Sequence, residues 1–149
     1  MKLAAGVMLF CLCSLMGEQK RRGLLGRVRA LEAYMALIRR ITETQARELI
    51  PFFQAALRCP PSEEREALLQ LARGETAPCP ALTTEAREAL SAFARREHRS
   101  LGELRRETDV LLAALEAAHE RAKADYDQKG RVYGAIGYLS GLAVLLLVV

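Results

Sequence analysis

Two segments without a single charged side chain enclose nearly all the charge in this chain. One is Tyr133–Val149, YGAIGYLSGLAVLLLVV; the other is Leu3–Gly17, LAAGVMLFCLCSLMG. Every acidic residue, and every basic one except Lys2, lies between them. A chain so divided cannot easily bury both apolar ends in one small water-exposed core. The expected architecture is an all-α, membrane-tethered helical bundle. It has an N-terminal transmembrane helix over residues 1–17, a cytoplasmic bundle domain over 18–132, and a C-terminal transmembrane helix over 133–149.

The region between the ends is long enough for one domain. It is rich in Ala, Leu, Glu and Arg, and the chain has no Trp and only 5% aromatic residues. These side chains lose little rotamer freedom in a helix, so helix is expected throughout. Val and Ile are scarce outside the ends, which argues against a sheet.

The formal charge of +4 is unevenly spread: Glu18 to Arg40 holds seven Lys or Arg against two Glu. A basic block beside an apolar segment marks a cytoplasmic flank facing anionic lipid. Nucleic acid is not an expected partner, because no basic stripe is interleaved with stacking aromatics. Membrane lipid is.

The first segment does not read as a cleaved signal. Only Lys2 precedes it, Lys20, Arg21 and Arg22 follow it, and no A-x-A site ends it. Nor do Cys11 and Cys13 have the small residues that precede a lipoprotein cysteine. Fifteen apolar residues are short for about 30 Å of hydrocarbon. The helix is therefore expected to continue past Gly17, with the basic side chains reaching back to the headgroups. Lys20, Arg21 and Arg22 flank the first segment, and Lys129 and Arg131 flank the second. All lie on the domain side, so the positive-inside rule places the domain in the cytoplasm.

Apolar residues at Leu24, Val28, Leu31, Met35 and Ile38 recur in steps of four and three, the spacing of one helix face. Pro51 interrupts that helix, and Phe52, Phe53, Ala56 and Leu57 form a short apolar one that Pro60 and Pro61 end. Ser62 is an N-cap with Glu63 and Glu64 in the first turn, and Gly74 is a stop signal. Thr83 caps a further helix that turns Leu90, Phe93 and Ala94 inward. Ser100 and Glu103 form a capping box for the last and longest helix. Its Leu104, Thr108, Leu111, Leu115, Ala118, Ala122 and Tyr126 make a seam at coiled-coil spacing, with a kink expected at Gly130. The expected domain core is Val28, Leu31, Met35, Ile38, Phe93, Leu104, Leu111 and Leu115.

No catalytic constellation stands out. The chain has no phosphate-binding P-loop, no G-x-S-x-G elbow and no H-E-x-x-H. Cys59, Cys79, His98 and His119 are too widely spaced for a zinc site, with no C-x-x-C pair; they read as ordinary reduced thiols and surface histidines. Neither apolar segment contains Asp, Glu, His or Arg, which argues against transport or catalysis within lipid. The expectation is no enzyme, no cofactor, no metal and no small-molecule substrate. The pattern that does carry physics is Gly130, Gly134, Gly137 and Gly141, at steps of four, three and four. Such a stripe lets membrane helices approach closely.

Three stretches carry a family resemblance. Lys129–Val149 runs from basic residues through Tyr133 into Gly137, Leu139, Gly141 and Leu142, then aliphatics. Leu82–Phe93, LTTEAREALSAF, matches a helix start. A short apolar N-terminal segment ends in a basic cluster. In these the chain resembles the stage III sporulation protein AB family of endospore-forming bacteria. It departs from the family pattern after Leu101-Gly102, where a Gln is missing, and over Leu57–Ala81.

The resemblance implies a bundle similar to the cytoplasmic domain of the type II secretion F platform proteins. It implies a place in the mother-cell membrane around the forespore, in a secretion-like channel complex with other stage III proteins and a secretion-type ATPase. No catalytic residues come with it. A membrane-tethered coiled-coil adaptor unrelated to sporulation is the second reading.

Overall fold

A computed structural model describes residues 2–77, 79–97 and 100–148. Among the described residues the secondary structure is helical, with no strand. Five helices follow in order: α1 Lys2–Glu48, α2 Phe52–Leu57, α3 Glu63–Ala72, α4 Thr84–Arg95 and α5 Leu101–Val148. The chain forms two compact units. One is Met1–Gly26 with Arg121–Val149; the other is Arg27–Glu120. α1 and α5 are continuous helices that each supply residues to both units. Gly130 lies inside α5 and does not interrupt it.

Local chemistry sets the helix ends in the bundle unit. α1 stops where Leu49 turns to φ +54° and its N–H donates to the Gln45 carbonyl at 2.8 Å. Leu in the left-handed region costs about 1–2 kcal/mol. Pro51, two residues on, lacks the N–H to continue the helix. Ser62 Oγ accepts from the Arg65 N–H at 3.1 Å and opens α3.

Gly74, at φ +83°, closes α3. Its N–H donates to the Leu71 carbonyl and the Glu75 N–H to the Gln70 carbonyl, the paired bonds of a Schellman ending, which needs a left-handed residue. Thr83 Oγ1 caps α4 through the Ala86 N–H, and Ser100 Oγ accepts from the Glu103 N–H at the start of α5.

The core of this unit is apolar and closely packed. Leu31, Ile38, Ile41, Leu68, Leu90 and Leu115 are the large side chains buried most completely. Each contributes about 1.5–3 kcal/mol by leaving water. α3 packs on α4, and α2 packs on both. Phe52 of α2 meets Phe93 of α4 edge to face, 5.9 Å between ring centres.

Val28, Leu31, Ile38, Phe93, Leu104, Leu111 and Leu115 are all buried, but Met35 is only half-buried. α1 buries Tyr34, Leu37 and Ile41 in addition, an arc wider than a single stripe. The cause is that α1 has neighbours on more than one side. Thr42 Oγ1 lies 3.1 Å from Thr108 Oγ1 of α5, while the Tyr34 hydroxyl donates to Cys79 Sγ in the α3–α4 connection at 3.5 Å. Thr108 already donates to the Leu104 carbonyl at 2.8 Å, so Thr42 is the donor of the pair. Two buried hydroxyls are thereby satisfied within the seam.

Candidate functional site

In the unit built from the two chain ends, α1 and α5 run antiparallel in close contact. Their register follows from three places where a Cβ would meet the opposite backbone. A Cβ on Gly17 would lie 2.6 Å from the Tyr133 carbonyl oxygen and 3.2 Å from Gly137 Cα. One on Gly137 would lie 3.0 Å from the Cys13 carbonyl oxygen and 3.1 Å from Gly17 Cα. One on Gly141 would lie 2.7 Å from the Phe10 ring and 3.1 Å from the Phe10 carbonyl oxygen. Only glycine allows two helix backbones so near each other. Phe10 and Tyr138 flank the crossing edge to face at 5.7 Å. Ser140 bonds back to the Gly137 carbonyl in its own helix at 3.1 Å, so its hydroxyl does not join the helices.

The glycine stripe read from sequence is thus unequal. Gly137 and Gly141 form the crossing. Gly130 makes ordinary contacts with the Tyr126 ring and the Arg21 stem, and Gly134 faces open space. The most constrained glycine, Gly17, is one that sequence reasoning used only to end a segment. Its signal was present. Gly6, Phe10, Cys13 and Gly17 step by four, three and four, as do Gly130, Gly134, Gly137 and Gly141, which places matched faces on both helices.

Where the apolar segments end, the flanking cations are held by aromatic and acidic neighbours. Lys20 Nζ lies over the Tyr133 ring, 5.3 Å from its centre. Arg21 Nη1 lies 3.7 Å from Glu18 Oε2. The neighbouring Tyr126 hydroxyl, with the Glu18 carboxylate, holds the Arg21 pKa above the ordinary value. Arg22 Nε donates to Glu18 Oε1 at 3.2 Å, and Lys129 Nζ pairs with Asp125 Oδ1 at 2.8 Å. Arg131 is exposed. Among the described residues one helix, α5, is long and apolar enough to cross a membrane. Its apolar surface is open: Val132, Ile136, Leu139 and Leu146 are exposed.

Cys59 and Cys79 are both buried. Burial pushes the Cys59 thiol pKa up, with Arg40 and Arg65 partly offsetting it. Burial, then the contact with Cys79, pushes Tyr34 up as well. Arg65 and Arg87 reach in to donate to the carbonyls of Cys59 and Cys79, at 2.9 and 3.2 Å. These two arginines brace the proline-rich connections, a role that their position among other charged residues did not reveal.

His119 is not free on the surface but lies 3.0 Å from Glu32 Oε1; His98 lies outside the described residues. Among the described residues no group of three or more His, Cys, Asp or Glu could hold a metal ion. A groove of about 790 Å³ opens beside Leu49, Phe53, Arg95 and Leu101.

Comparison with protein-family models, curated proteins and solved structures returned no match.

Proposed function

We propose that this chain is a non-enzymatic membrane platform component of the stage III sporulation complex. It would act in the mother-cell membrane around the forespore, beside a secretion-type ATPase. In this reading both apolar helix ends span the membrane and the bundle unit faces the cytoplasm. The observation that carries it is the glycine crossing of Gly17, Gly137 and Gly141. Two helices in backbone contact resist separation, which suits a part that bears or transmits force. The segregation of charge supports the orientation, since the basic residues cluster on the bundle side of the apolar segments. The family resemblance supplies the complex, the ATPase and the membrane.

The test is genetic. In an endospore-forming bacterium lacking its own stage III AB protein, expression of this chain should restore heat-resistant spores. Gly17→Ile should abolish that restoration while the protein still accumulates. No restoration by the wild-type chain, with the protein present in the membrane, would favour the adaptor reading.

A further inference from the structure

The unit formed by the chain ends carries eight Lys or Arg against three Asp or Glu, a net of +5. The bundle unit carries fourteen against fifteen, a net of −1. The whole positive excess of the protein therefore accompanies its apolar segments. It is also arranged rather than scattered. Residues 17 and 133, 13 and 137, and 21 and 130 are opposite one another in the antiparallel pair. That register brings Lys20, Arg21 and Arg22 of α1 to the level of Lys129 and Arg131 of α5.

Three features hold these cations in place. Gly130 has no Cβ, so the Arg21 stem lies flat on α5, its Cγ 3.6 Å from where a Cβ would be. Glu18 Oε2 lies 3.7 Å from Arg21 Nη1, and about half of the Arg21 side chain stays exposed. Tyr133 fixes Lys20 beneath a cation–π contact. Tyr is favoured where one end of a side chain is apolar and the other wet. Arg131 has no carboxylate partner among the described residues.

From this geometry we infer that Lys20, Arg21 and Arg131, on two helices at one level, form a binding site for the phosphate of an anionic phospholipid headgroup. The inference rests on the reading that the apolar ends lie in a membrane, and it adds a selectivity which that reading alone does not require. An arginine presents several N–H donors in a planar fork suited to phosphate oxygens. A lysine adds a point charge. The acyl chains of the same lipid would lie along the exposed apolar surface of α1 and α5, where Leu15, Met16, Val132 and Ile136 face outward. A water-soluble phosphate could use the cations but gains nothing from that surface, so the lipid is the favoured occupant.

The experiment uses the full chain, purified in mild detergent and examined by native mass spectrometry. Phosphatidylglycerol and phosphatidylcholine with identical acyl chains are the probes. Each interfacial basic residue contributes about fivefold in affinity for an anionic lipid. Wild type should therefore retain phosphatidylglycerol in clear preference. Lys20→Gln, Arg21→Gln and Arg131→Gln combined should lower its apparent affinity about 100-fold and bring the two lipids level. Arg105→Gln with Arg106→Gln, in the bundle unit, should change nothing.

The proposal is overturned if wild type shows no preference or if the triple variant keeps one. It is overturned equally if millimolar inorganic phosphate displaces the lipid, because the site then takes free phosphate. Circular dichroism of the triple variant confirms that helix content is unchanged. Extraction of the wild-type chain from membranes by alkaline carbonate would instead defeat the membrane reading, a result distinct from a loss of lipid selectivity.

Discussion

Gly17→Ala is the smallest change that tests the helix crossing. A Cβ at that position would stand 2.6 Å from the Tyr133 carbonyl oxygen, whereas a carbon–oxygen contact between helices settles at about 3.3–3.6 Å. The opposing atom is backbone, so no rotamer change relieves it. The helices must part by about 0.7 Å or more. A gap of that size forfeits about a quarter to a half of the dispersion energy of the atoms that lose contact. Overpacking of this kind costs about 1–3 kcal/mol, or about 5- to 150-fold in the equilibrium between packed and separated helices.

The sign matters more than the size. Alanine is the better helix former by about 1 kcal/mol, so in a loose pair Gly17→Ala would stabilise. Gly134→Ala, with nothing within 4 Å, supplies that comparison and should be neutral or stabilising. The assay is fluorescence transfer between labels at the exposed positions Leu15 and Leu139, in a cysteine-free chain titrated with SDS in mixed micelles. Gly17→Ala should shift the midpoint to lower SDS while Gly134→Ala does not. Unchanged or increased stability for Gly17→Ala would refute the crossing.

Two further outcomes follow from the bundle unit. Leu115 has no exposed surface, so Leu115→Ala should lower the unfolding free energy by about 2–5 kcal/mol, read by denaturant titration monitored by circular dichroism. Cys59 and Tyr34 both have pKa values raised above their ordinary 9.0 and 10.0. The unfolded chain therefore loses these protons first as pH rises. Their contribution to stability is complete below about pH 9 and declines above it. The melting temperature should fall from pH 9 to pH 11, and Cys59→Ala with Tyr34→Phe should flatten that fall.

Much of the fold was readable from residues whose chemistry acts locally. Ser62, Thr83 and Ser100 bond the N–H three positions on, and Gly74 supplies a left-handed backbone, whatever surrounds them. Periodicity found Val28, Leu31 and Ile38, but it could not find Tyr34 and Ile41. A 3.6-residue period identifies one buried stripe, and the width of that stripe depends on how many neighbours the helix has. The same limit applies to the glycines. Spacing puts Gly130, Gly134, Gly137 and Gly141 on one face, while the register with α1 decides that Gly137 meets Gly17 and Gly134 meets nothing. The burial of Cys59 and Cys79 was hidden because each precedes a proline in a connection, and burial there comes from helices distant in sequence.

The account centres on a bundle that faces the cytoplasm while both apolar ends lie in the membrane. Its most direct test is the accessibility of one bundle residue in living cells. The native thiols are unsuited to this, since Cys59 and Cys79 are buried. Glu85 is exposed in the first turn of α4, so Glu85→Cys in a cysteine-free chain provides the probe for a membrane-impermeant maleimide. Labelling only after the cells are lysed is the predicted result. Labelling in intact cells would put the bundle outside and contradict both the orientation and the platform role.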